Sequence, residues 1–455
     1  MGSPMSDPIA QEAIGHLRAL LALDTTNPPG NESLATEYLR GVLEAEGIAC
    51  QVAESEPGRG NLVARLPGRG STARSAGLLM SSHVDVVPAD ADRWSQPPFG
   101  AVVHGGELYG RGAIDMKNMT AMALMAMLVA KPRNLPLQRD LASAAVADEE
   151  GGCTHGSRFL VERHPDWLES EYAVNESGGY TLHLNGRRFY PIQVAEKGLA
   201  WLRITAHGEP GHGSMPQERN AIQALGAAVQ KLGPGIFPHH ATPVVREFVT
   251  TLSAALPAAT RPVFRSVLDR RVGDFVLRRL LPDRNEANVL WALLHDTISP
   301  TVLEAGSKIN VIPGAASLTV DCRVLPGRSP EQVLDTVRRV VGEGFTVETV
   351  LSAPPTVFDH HNPFFAHLAA ALEKADRGSK AVPFMIPGLT DARWYNELGI
   401  KTYGFTPVKL SPEVVFNKLF HGDNERIPVD GFTWGLQTFL DALLSFAVGA
   451  EVNWR

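Results

Sequence analysis

Short apolar runs bounded by turn-forming residues recur in the first part of the chain, at residues 61–66, 76–82, 141–147 and 172–174. Segments with helical periodicity lie between them. Apolar runs of this length are typical of strands that are buried on both faces of an α/β sheet. The pattern therefore predicts that the chain begins with an α/β domain.

Two helices are predicted ahead of these runs, over residues 8–23 and 33–46. The apolar residues that fall on one face of the second helix at helical spacing are Leu34, Tyr38, Val42 and Leu43. The longest apolar stretch, residues 120–130, is far too short to span a bilayer. It predicts a buried helix.

The pattern changes near Gly198. Residues 199–206 alternate between apolar and polar positions as a strand does, and a helix is predicted over 220–231. A long, partly basic helical region follows over 244–295. Two strand-like runs come next, at 308–312 and 316–324. This order predicts a second, smaller α+β domain inserted into the first.

We place the boundaries of the inserted domain at residues 198 and 326. Residues 1–197 and 327–455 are then the two parts of the larger domain, and Pro326-Gly327 marks the return to it. In the second part, residues 330–341 are predicted as a helix and residues 346–351 as a strand.

Length and composition narrow the class of protein. A chain of 455 residues exceeds what one hydrophobic core usually supports. The formal net charge of -7 argues against nucleic-acid binding, which requires a basic surface. The three cysteines are far apart and lack the paired spacing of a metal site, which indicates reduced thiols in a cytoplasmic protein. The N-terminus lacks the pattern of a secretion signal, and no membrane association is expected.

Side chains that can bind metal follow three of the predicted strands. His83, Glu149 and Glu176 each come just after an apolar run. Side chains at the carboxyl ends of sheet strands converge on one crevice, so these three are expected to lie together. Asp115 follows a glycine-rich turn, and His421 lies in the late motif FHGDNE.

These groups, with further carboxylates beside them, are the ligand set of a two-zinc hydrolase. Asp115 is the candidate for a carboxylate that bridges two metal ions. His83 and His421 would each bind one ion by a ring nitrogen. Glu150 and Glu176 would complete the two sites.

Two neighbouring carboxylates are predicted to act without being metal ligands. Amide hydrolysis requires a base that takes a proton from water and positive charge for the developing oxyanion. Glu149 is the candidate base, because a carboxylate bound to metal could not shuttle the proton. Asp85, two residues after His83, is expected to orient the imidazole ring.

Five separated motifs, in order along the chain, resemble those of one enzyme family. They are His83-x-Asp85, Gly110-Arg111-Gly112 with Asp115-Met116-Lys117, Asp148-Glu149-Glu150, Asn175-Glu176 and His421. They resemble the M20 family of zinc metallopeptidases and aminoacylases. The long insert between His212 and Asn310 resembles its carboxypeptidase S and N-acyl-amino-acid hydrolase branch more than its compact desuccinylase branch. The resemblance implies a zinc-peptidase-like catalytic domain, in which helices flank a mixed central sheet, plus an inserted lid or dimerisation domain.

The resemblance also implies a ligand set and a backbone feature. His83, Asp115 and Glu176 would bind one zinc ion, and Asp115, Glu150 and His421 the other. Manganese or cobalt could occupy the same ligands. A cis peptide bond is implied directly after Asp115.

Three further residues, His212, Asn310 and Arg393, match positions that contact substrate in this family. His212 would stabilise the oxyanion, either within one subunit or across a homodimer formed through the inserted domain. Asn310 matches a substrate-binding position, and Arg323, on the strand that follows, is a further candidate. Arg393 would hold the substrate carboxylate, a task that suits a bidentate guanidinium.

The sequence thus predicts an amidohydrolase for N-acyl-amino acids or for the C-terminal residue of short peptides. A dipeptidase of the same family is an alternative, as is a catalytically silent protein that binds zinc or a small ligand. The long insert would either widen the pocket for an apolar acyl group or pack the lid. The acyl group, the side-chain preference and the native metal are not determined by the sequence.

Overall fold

The structure is a computed structural model that describes residues 7–70, 74–281, 283–414 and 416–454. Its internal contacts divide the chain into two units. Unit 1 comprises Met1–Val194, Phe358–Pro383 and Thr390–Arg455, and unit 2 comprises Ala195–Val357 and Phe384–Leu389.

The secondary structure alternates between helices and strands. The helices are α1 (Pro8–Leu21), α2 (Ser33–Ala45), α3 (Lys117–Ala130), α4 (Ser157–Arg163), α5 (Pro165–Leu168), α6 (Ala221–Lys231), α7 (Pro243–Ser253), α8 (Arg261–Arg265), α9 (Gly273–Arg279), α10 (Arg284–Leu294), α11 (Pro330–Val341), α12 (Pro363–Ala375), α13 (Ala392–Glu397) and α14 (Val429–Val448). The strands are β1 (Cys50–Glu54), β2 (Gly60–Leu66), β3 (Leu78–His83), β4 (Val102–His104), β5 (Glu107–Tyr109), β6 (Leu141–Val146), β7 (Tyr172–Asn175), β8 (Leu182–Leu184), β9 (Arg187–Glu196), β10 (Gly198–His207), β11 (Gly211–His212), β12 (Thr297–Ala305), β13 (Val311–Ile312), β14 (Ala315–Val324), β15 (Phe345–Ala353), β16 (Thr356–Val357), β17 (Lys380–Ile386), β18 (Lys401–Gly404) and β19 (Arg426–Pro428).

The central sheet of unit 1 is mixed and runs in the order β1-β2-β6-β3-β7-β18-β9. β3 is parallel to both β6 and β7, whereas β1 and β2 pair antiparallel at one edge. In the β3–β6 pair, His83 lies opposite Val146. Every residue of β3, β6 and β7 is buried. The carboxyl ends of these three strands therefore meet at one edge of the sheet.

The helix α3 lies in the core of unit 1. All of its residues are buried, and it packs against α1, α14 and β3. A helix that is apolar on all sides belongs in a core, so the predicted buried helix is confirmed. Within the described residues, no helix is both long and apolar enough to cross a membrane.

The apolar face of α2 differs from the one predicted. Leu34 is 46% exposed, whereas the buried positions are Ala35, Thr36, Leu39 and Leu43. Small residues at positions 35 and 36 allow close approach to the neighbouring elements, and β2 is one of them. Of the four predicted positions Leu43 alone is buried, so hydrophobicity identified only part of the buried face.

Unit 2 is built on an antiparallel sheet in the order β12-β14-β10-β15. The residues of β14 alternate between more and less exposed positions. Its buried side chains form a core with α6 and α11. Since α11 packs against this sheet and β15 pairs with β10, unit 2 extends to Val357. The sequence-based boundary at residue 326 differs, because the pattern of α11 and β15 does not reveal their packing partner.

The helical region of unit 2 resolves into α7, α8, α9 and α10. Proline occupies the first turn of α7 and α8, and Asp283 caps α10 by accepting the backbone N–H of Asn285 and Glu286. These are ordinary helix-start signals, which divide the region into short helices. The strand predicted over 308–312 is reduced to β13, which pairs with β11.

Candidate metal centre and catalytic site

His83 ends β3 and is fully buried. Its Nδ1 atom lies 3.0 Å from the backbone oxygen of Asp85, so this nitrogen carries the proton and donates it. In the neutral ring the lone pair is then on Nε2, which lies 3.1 Å from Oδ1 of Asp115 and 3.9 Å from Oε2 of Glu176. This tautomer is the one that a metal-binding histidine requires.

Asp115 lies between two imidazole rings. Its Oδ1 atom is 3.1 Å from Nε2 of His83, and its Oδ2 atom is 3.2 Å from Nε2 of His421. Each oxygen thus faces a different histidine. The peptide bond between Asp115 and Met116 is cis, as the family resemblance implied.

The loop that carries Asp115 is held by a buried carboxylate, Glu425. Its oxygens accept the backbone N–H groups of Gly112 (3.0 Å), Ile114 (2.8 Å) and Asp115 (3.1 Å). Nη1 of Arg111 donates to the same carboxylate over 2.9 Å, and both side chains are buried. Sequence reasoning quoted Glu425 within the FHGDNE motif but gave it no role.

Gly112 is required by the shape of this loop. Its φ is +90°, and a Cβ atom there would lie 2.9 Å from Cγ1 of Val86. Glycine adopts this conformation without a steric penalty.

Glu149 and Glu150 lie in the turn that follows β6. Oδ1 of Asp85 accepts the backbone N–H of Glu149, and Oδ2 accepts that of Glu150, each over 3.1 Å. The Glu150 carboxylate lies 3.0 Å from Nε2 of His421, whose ring is half-exposed. Asp85 therefore contacts His83 and also fixes the backbone of both glutamates.

The structure brings the five predicted ligands and Glu149 into one cluster within unit 1. Two sets of side chains have potential ligand atoms within 4.8 Å of one another. They are His83 with Glu149 and Glu176, and His83 with Asp115 and Glu150. An oxygen of Glu149 thus lies within 4.8 Å of a ring nitrogen of His83.

A second layer of polar residues supports Asp85 and was not among the sequence candidates. Nδ2 of Asn27 donates to Oδ2 of Asp85 (2.9 Å) and to Oδ1 of Asp148 (3.0 Å). Arg59 bridges Asp148 and Glu32 with Nη2 distances of 2.8 and 2.9 Å. The turn-rich segment around Asn27 was the available signal, but a turn residue and a site residue look alike in one sequence.

The charges of the cluster are unbalanced. Burial raises the pKa of Glu149 and of Glu176 well above the ordinary value, and neighbouring carboxylates raise it further. Hydrogen bonds with Asp115 and Glu150 raise the pKa of His421 to about 10. Several carboxylates thus compete for two imidazoles as their only cationic partners in the cluster.

Divalent cations would relieve this repulsion. Carboxylate oxygens and imidazole nitrogens are ligands that Zn²⁺ accepts, and Mn²⁺ or Co²⁺ also bind them. The donor set therefore fits divalent metal ions.

Arg393 lies on α13, beside the turn that carries the two glutamates. Its Nη2 atom donates to the backbone oxygen of Gly152 over 3.0 Å. Its Nε atom is buried without a hydrogen-bond partner among the described residues. Asp391, which sequence reasoning did not select, is buried nearby and accepts a hydrogen bond from Ser157 (2.5 Å).

The other predicted substrate residues lie in unit 2. Pairing of β11 with β13 places His212 opposite Val311, and Gly213 donates to the backbone oxygen of Asn310 over 2.9 Å. His212 and Asn310 are thus close together despite their separation in sequence. Arg323 lies at the C-terminal end of β14 and makes a bidentate ion pair with Asp321 (2.8 and 3.0 Å).

The sequence of residues 79–445 matches the peptidase family M20/M25/M40. The chain belongs to this family. It is therefore a hydrolase, and the predicted resemblance and α/β fold class are both confirmed.

Relatives of this M20 chain include two curated human enzymes. Human aminoacylase-1 is 26% identical over 439 residues, which cover 94% of each chain. Human N-fatty-acyl-amino acid synthase/hydrolase PM20D1 is 28% identical over 372 residues, which cover 78% of this chain and 71% of PM20D1.

A solved M20 structure has the same fold. The YXEP protein of Bacillus subtilis, a dinuclear metal-binding peptidase, superimposes with a TM-score of 0.62 and 15% identity. The match covers 96% of this chain and 98% of that protein. Dinuclear metal binding is thus a property of an M20 relative with this fold.

Proposed function

We propose that this M20 protein is a dinuclear zinc amidohydrolase that cleaves N-acyl-amino acids or removes the C-terminal residue of short peptides. The observation that carries the proposal is the position of Asp115, whose two oxygens face His83 and His421 at 3.1 and 3.2 Å. The name of human aminoacylase-1 supports the choice of substrate class.

Distances between side chains in unit 1 support two proposed ligand sets. His83, Asp115 and Glu176 would hold one ion, and Asp115, Glu150 and His421 the other. When bound, the metal ions supply a water of lowered pKa and a Lewis acid for the scissile carbonyl.

Glu149 is the proposed general base. Its backbone is held by Asp85, and burial raises the pKa of its carboxyl group, which is the direction that proton uptake near neutral pH requires. One Glu149 oxygen takes the proton from water as water adds to the amide carbon. The same oxygen returns the proton to the leaving nitrogen when the C–N bond breaks.

Arg393 is the proposed anchor for the substrate carboxylate. Its Nη2 atom donates to the backbone oxygen of Gly152 over 3.0 Å, which holds the guanidinium beside the turn that carries Glu149 and Glu150, and a guanidinium suits bidentate binding of a carboxylate. Asn310 and Arg323 are further proposed substrate contacts. The carboxylate of Asp321 already accepts hydrogen bonds from Nε and Nη2 of Arg323, so fewer of the guanidinium N–H groups remain for a substrate.

His212 is the proposed donor to the oxyanion. The backbone N–H of Ser214 donates to Nδ1 of His212 over 3.3 Å, and the Ser214 hydroxyl lies 2.8 Å from the same atom. An accepting Nδ1 leaves the proton on Nε2, so a neutral His212 presents an N–H donor there. That donor can stabilise a developing negative charge without a change of protonation.

A homodimer through unit 2 and a cytoplasmic location are parts of the same proposal. The three unpaired cysteines, Cys50, Cys153 and Cys322, support a reducing compartment. Mixing inactive His212→Ala and Glu149→Ala proteins tests the dimer: regained activity requires a shared site, and no activity places His212 and Glu149 in one subunit.

The test of the proposed reaction is a panel of N-acyl-amino acids and dipeptides assayed with zinc, manganese and cobalt. Release of the free amino acid by wild type, and its loss in Glu149→Gln with the metal content retained, is the expected result. PM20D1 is named for N-fatty-acyl-amino acids, so long acyl chains belong in the panel. A metal-loaded protein that hydrolyses no substrate of the panel would contradict the proposal.

A further inference from the structure

A basic cleft of about 580 Å³ lies within unit 2, and its lining includes no residue of the proposed catalytic machinery. Its lining includes His239, His240, Arg246, Arg265, Asp269 and Arg270. The volume falls within the range of small-molecule sites. The chain as a whole carries a net charge of -7, so this concentration of guanidinium groups differs from the average surface.

Two of the arginines are held in place through their Nε atoms. Nε of Arg265 donates to Oγ of Ser253 over 2.7 Å, and Ser253 in turn donates to the backbone oxygen of Thr250 over 2.6 Å. Ser253 is fully buried, so this anchor is fixed to the core of the unit. Nε of Arg246 donates to the backbone oxygen of Ala241 over 3.2 Å.

These contacts leave the terminal guanidinium nitrogens available. Among the described residues, none of Arg246, Arg265 and Arg270 has a carboxylate oxygen within 4.0 Å. By contrast, Arg261, on the same helix as Arg265, donates to three backbone oxygens, those of Ser253, Ala254 and Leu256. A guanidinium that is fixed at Nε and open at both Nη atoms is preorganised for bidentate binding of an oxyanion.

The acid in the cleft, Asp269, is already engaged. Its Oδ1 atom accepts the backbone N–H groups of Arg271 (2.7 Å) and Val272 (3.4 Å). Three guanidinium charges against this one carboxylate leave a net charge of +2 with the histidines neutral. A phosphate monoester carries a charge of about −1.5 to −2 near pH 7, and it therefore complements the cleft better than a monocarboxylate does.

We infer that this cleft is a binding site for a phosphate group, with Arg246 and Arg265 as its two bidentate donors. The ligand is a phosphomonoester, whether a small soluble molecule or the headgroup of a phosphatidic-acid lipid. The proposal concerns a site apart from the metal centre and does not depend on the hydrolytic reaction proposed above.

Isothermal titration calorimetry of the metal-loaded protein with inorganic phosphate tests this site. Arg265→Gln and Arg246→Gln are compared with Arg339→Gln, which removes one exposed charge from α11 outside the cleft. Phosphate that binds at the metal ions is expected to bind equally to wild type and to the three variants. The measured quantity is therefore the phosphate binding that is present in wild type and reduced in the two cleft variants. Circular dichroism and the metal content show whether each variant is folded.

We expect wild type and Arg339→Gln to share one phosphate site whose affinity falls by about tenfold or more in each cleft variant. Equal binding by folded Arg265→Gln, Arg246→Gln and Arg339→Gln would overturn the inference, as would the absence of any site beyond the metal centre in wild type. Cosedimentation with phosphatidylcholine vesicles containing roughly one fifth phosphatidic acid separates the two sources of ligand. Arginine-dependent cosedimentation assigns the lipid headgroup, and phosphate binding without it assigns a soluble ligand.

Discussion

Oδ1 of Asp85 accepts a hydrogen bond from the backbone N–H of Glu149 over 3.1 Å. The other carboxylate oxygen holds the backbone of Glu150, and the backbone oxygen of Asp85 fixes the ring of His83. One residue therefore orients a proposed ligand of each metal site and the proposed base.

Asp85→Asn is expected to lower kcat/KM by about 10- to 100-fold. The amide group replaces one carboxylate oxygen with an NH₂ donor, which would face the backbone N–H of Glu149 or Glu150 instead of accepting from it. The control is Asp166→Asn, which changes an exposed carboxylate on α5. Kinetics and metal content of the two variants give the comparison. If both retain wild-type kcat/KM, Asp85 does not position the site.

The ion pair between Arg111 and Glu425 is expected to stabilise the fold as well as the Asp115 loop. Glu425→Gln leaves a buried guanidinium without its countercharge, which costs about 3–5 kcal/mol in the free energy of unfolding. The exposed pair of Arg74 and Glu169 is a matched control, and Glu169→Gln is expected to cost less than about 1 kcal/mol. Urea denaturation measures both, and equal midpoints would contradict the role of the buried pair.

His16 provides a test of pH dependence away from the metal centre. Burial lowers its pKa below the ordinary value of 6.5, and the carboxylate of Glu12 partly offsets this effect. The folded-state pKa is therefore below that of the unfolded chain. The resulting contribution to stability is complete above pH 6.5 and is lost as the pH falls through the folded-state pKa.

The hydroxyl of Tyr38 lies 2.7 Å from Nδ1 of His16. A hydroxyl that donates to Nδ1 favours the neutral ring, so Tyr38→Phe is expected to raise the pKa of His16 toward 6.5. Titration of histidine Cε1 signals by NMR measures the change. A fall in the pKa instead would show that the ring donates to Tyr38.

Much of the fold could be predicted from the sequence because its core strands and α3 contain mostly apolar residues. β3, β6 and β7 lie within about two residues of the predicted runs, and α11 has the predicted bounds. The boundary of unit 2 could not be predicted, because β15 belongs to unit 2 through its pairing with β10, which is far away in the sequence. The buried face of α2 was only partly predicted for a similar reason: Leu43 is buried as expected, but Ala35 and Thr36 are buried because of the elements that pack against them.

The proposed ligands His83, Asp115, Glu150 and Glu176 could be selected because they follow a strand end or a glycine turn, and His421 because it lies in the motif FHGDNE. Glu425, Asn27 and Arg59 could not be, since their importance comes from hydrogen bonds to residues elsewhere in the chain. Asp391 is a further case, because its burial beside Ser157 has no local signal.

Anomalous scattering from crystals of the zinc-loaded protein tests the central claim, that Asp115 joins two metal sites. We predict two zinc peaks, one in contact with Oδ1 of Asp115 beside His83 and one in contact with Oδ2 beside His421. A single peak, or two peaks of which only one contacts Asp115, would contradict the account.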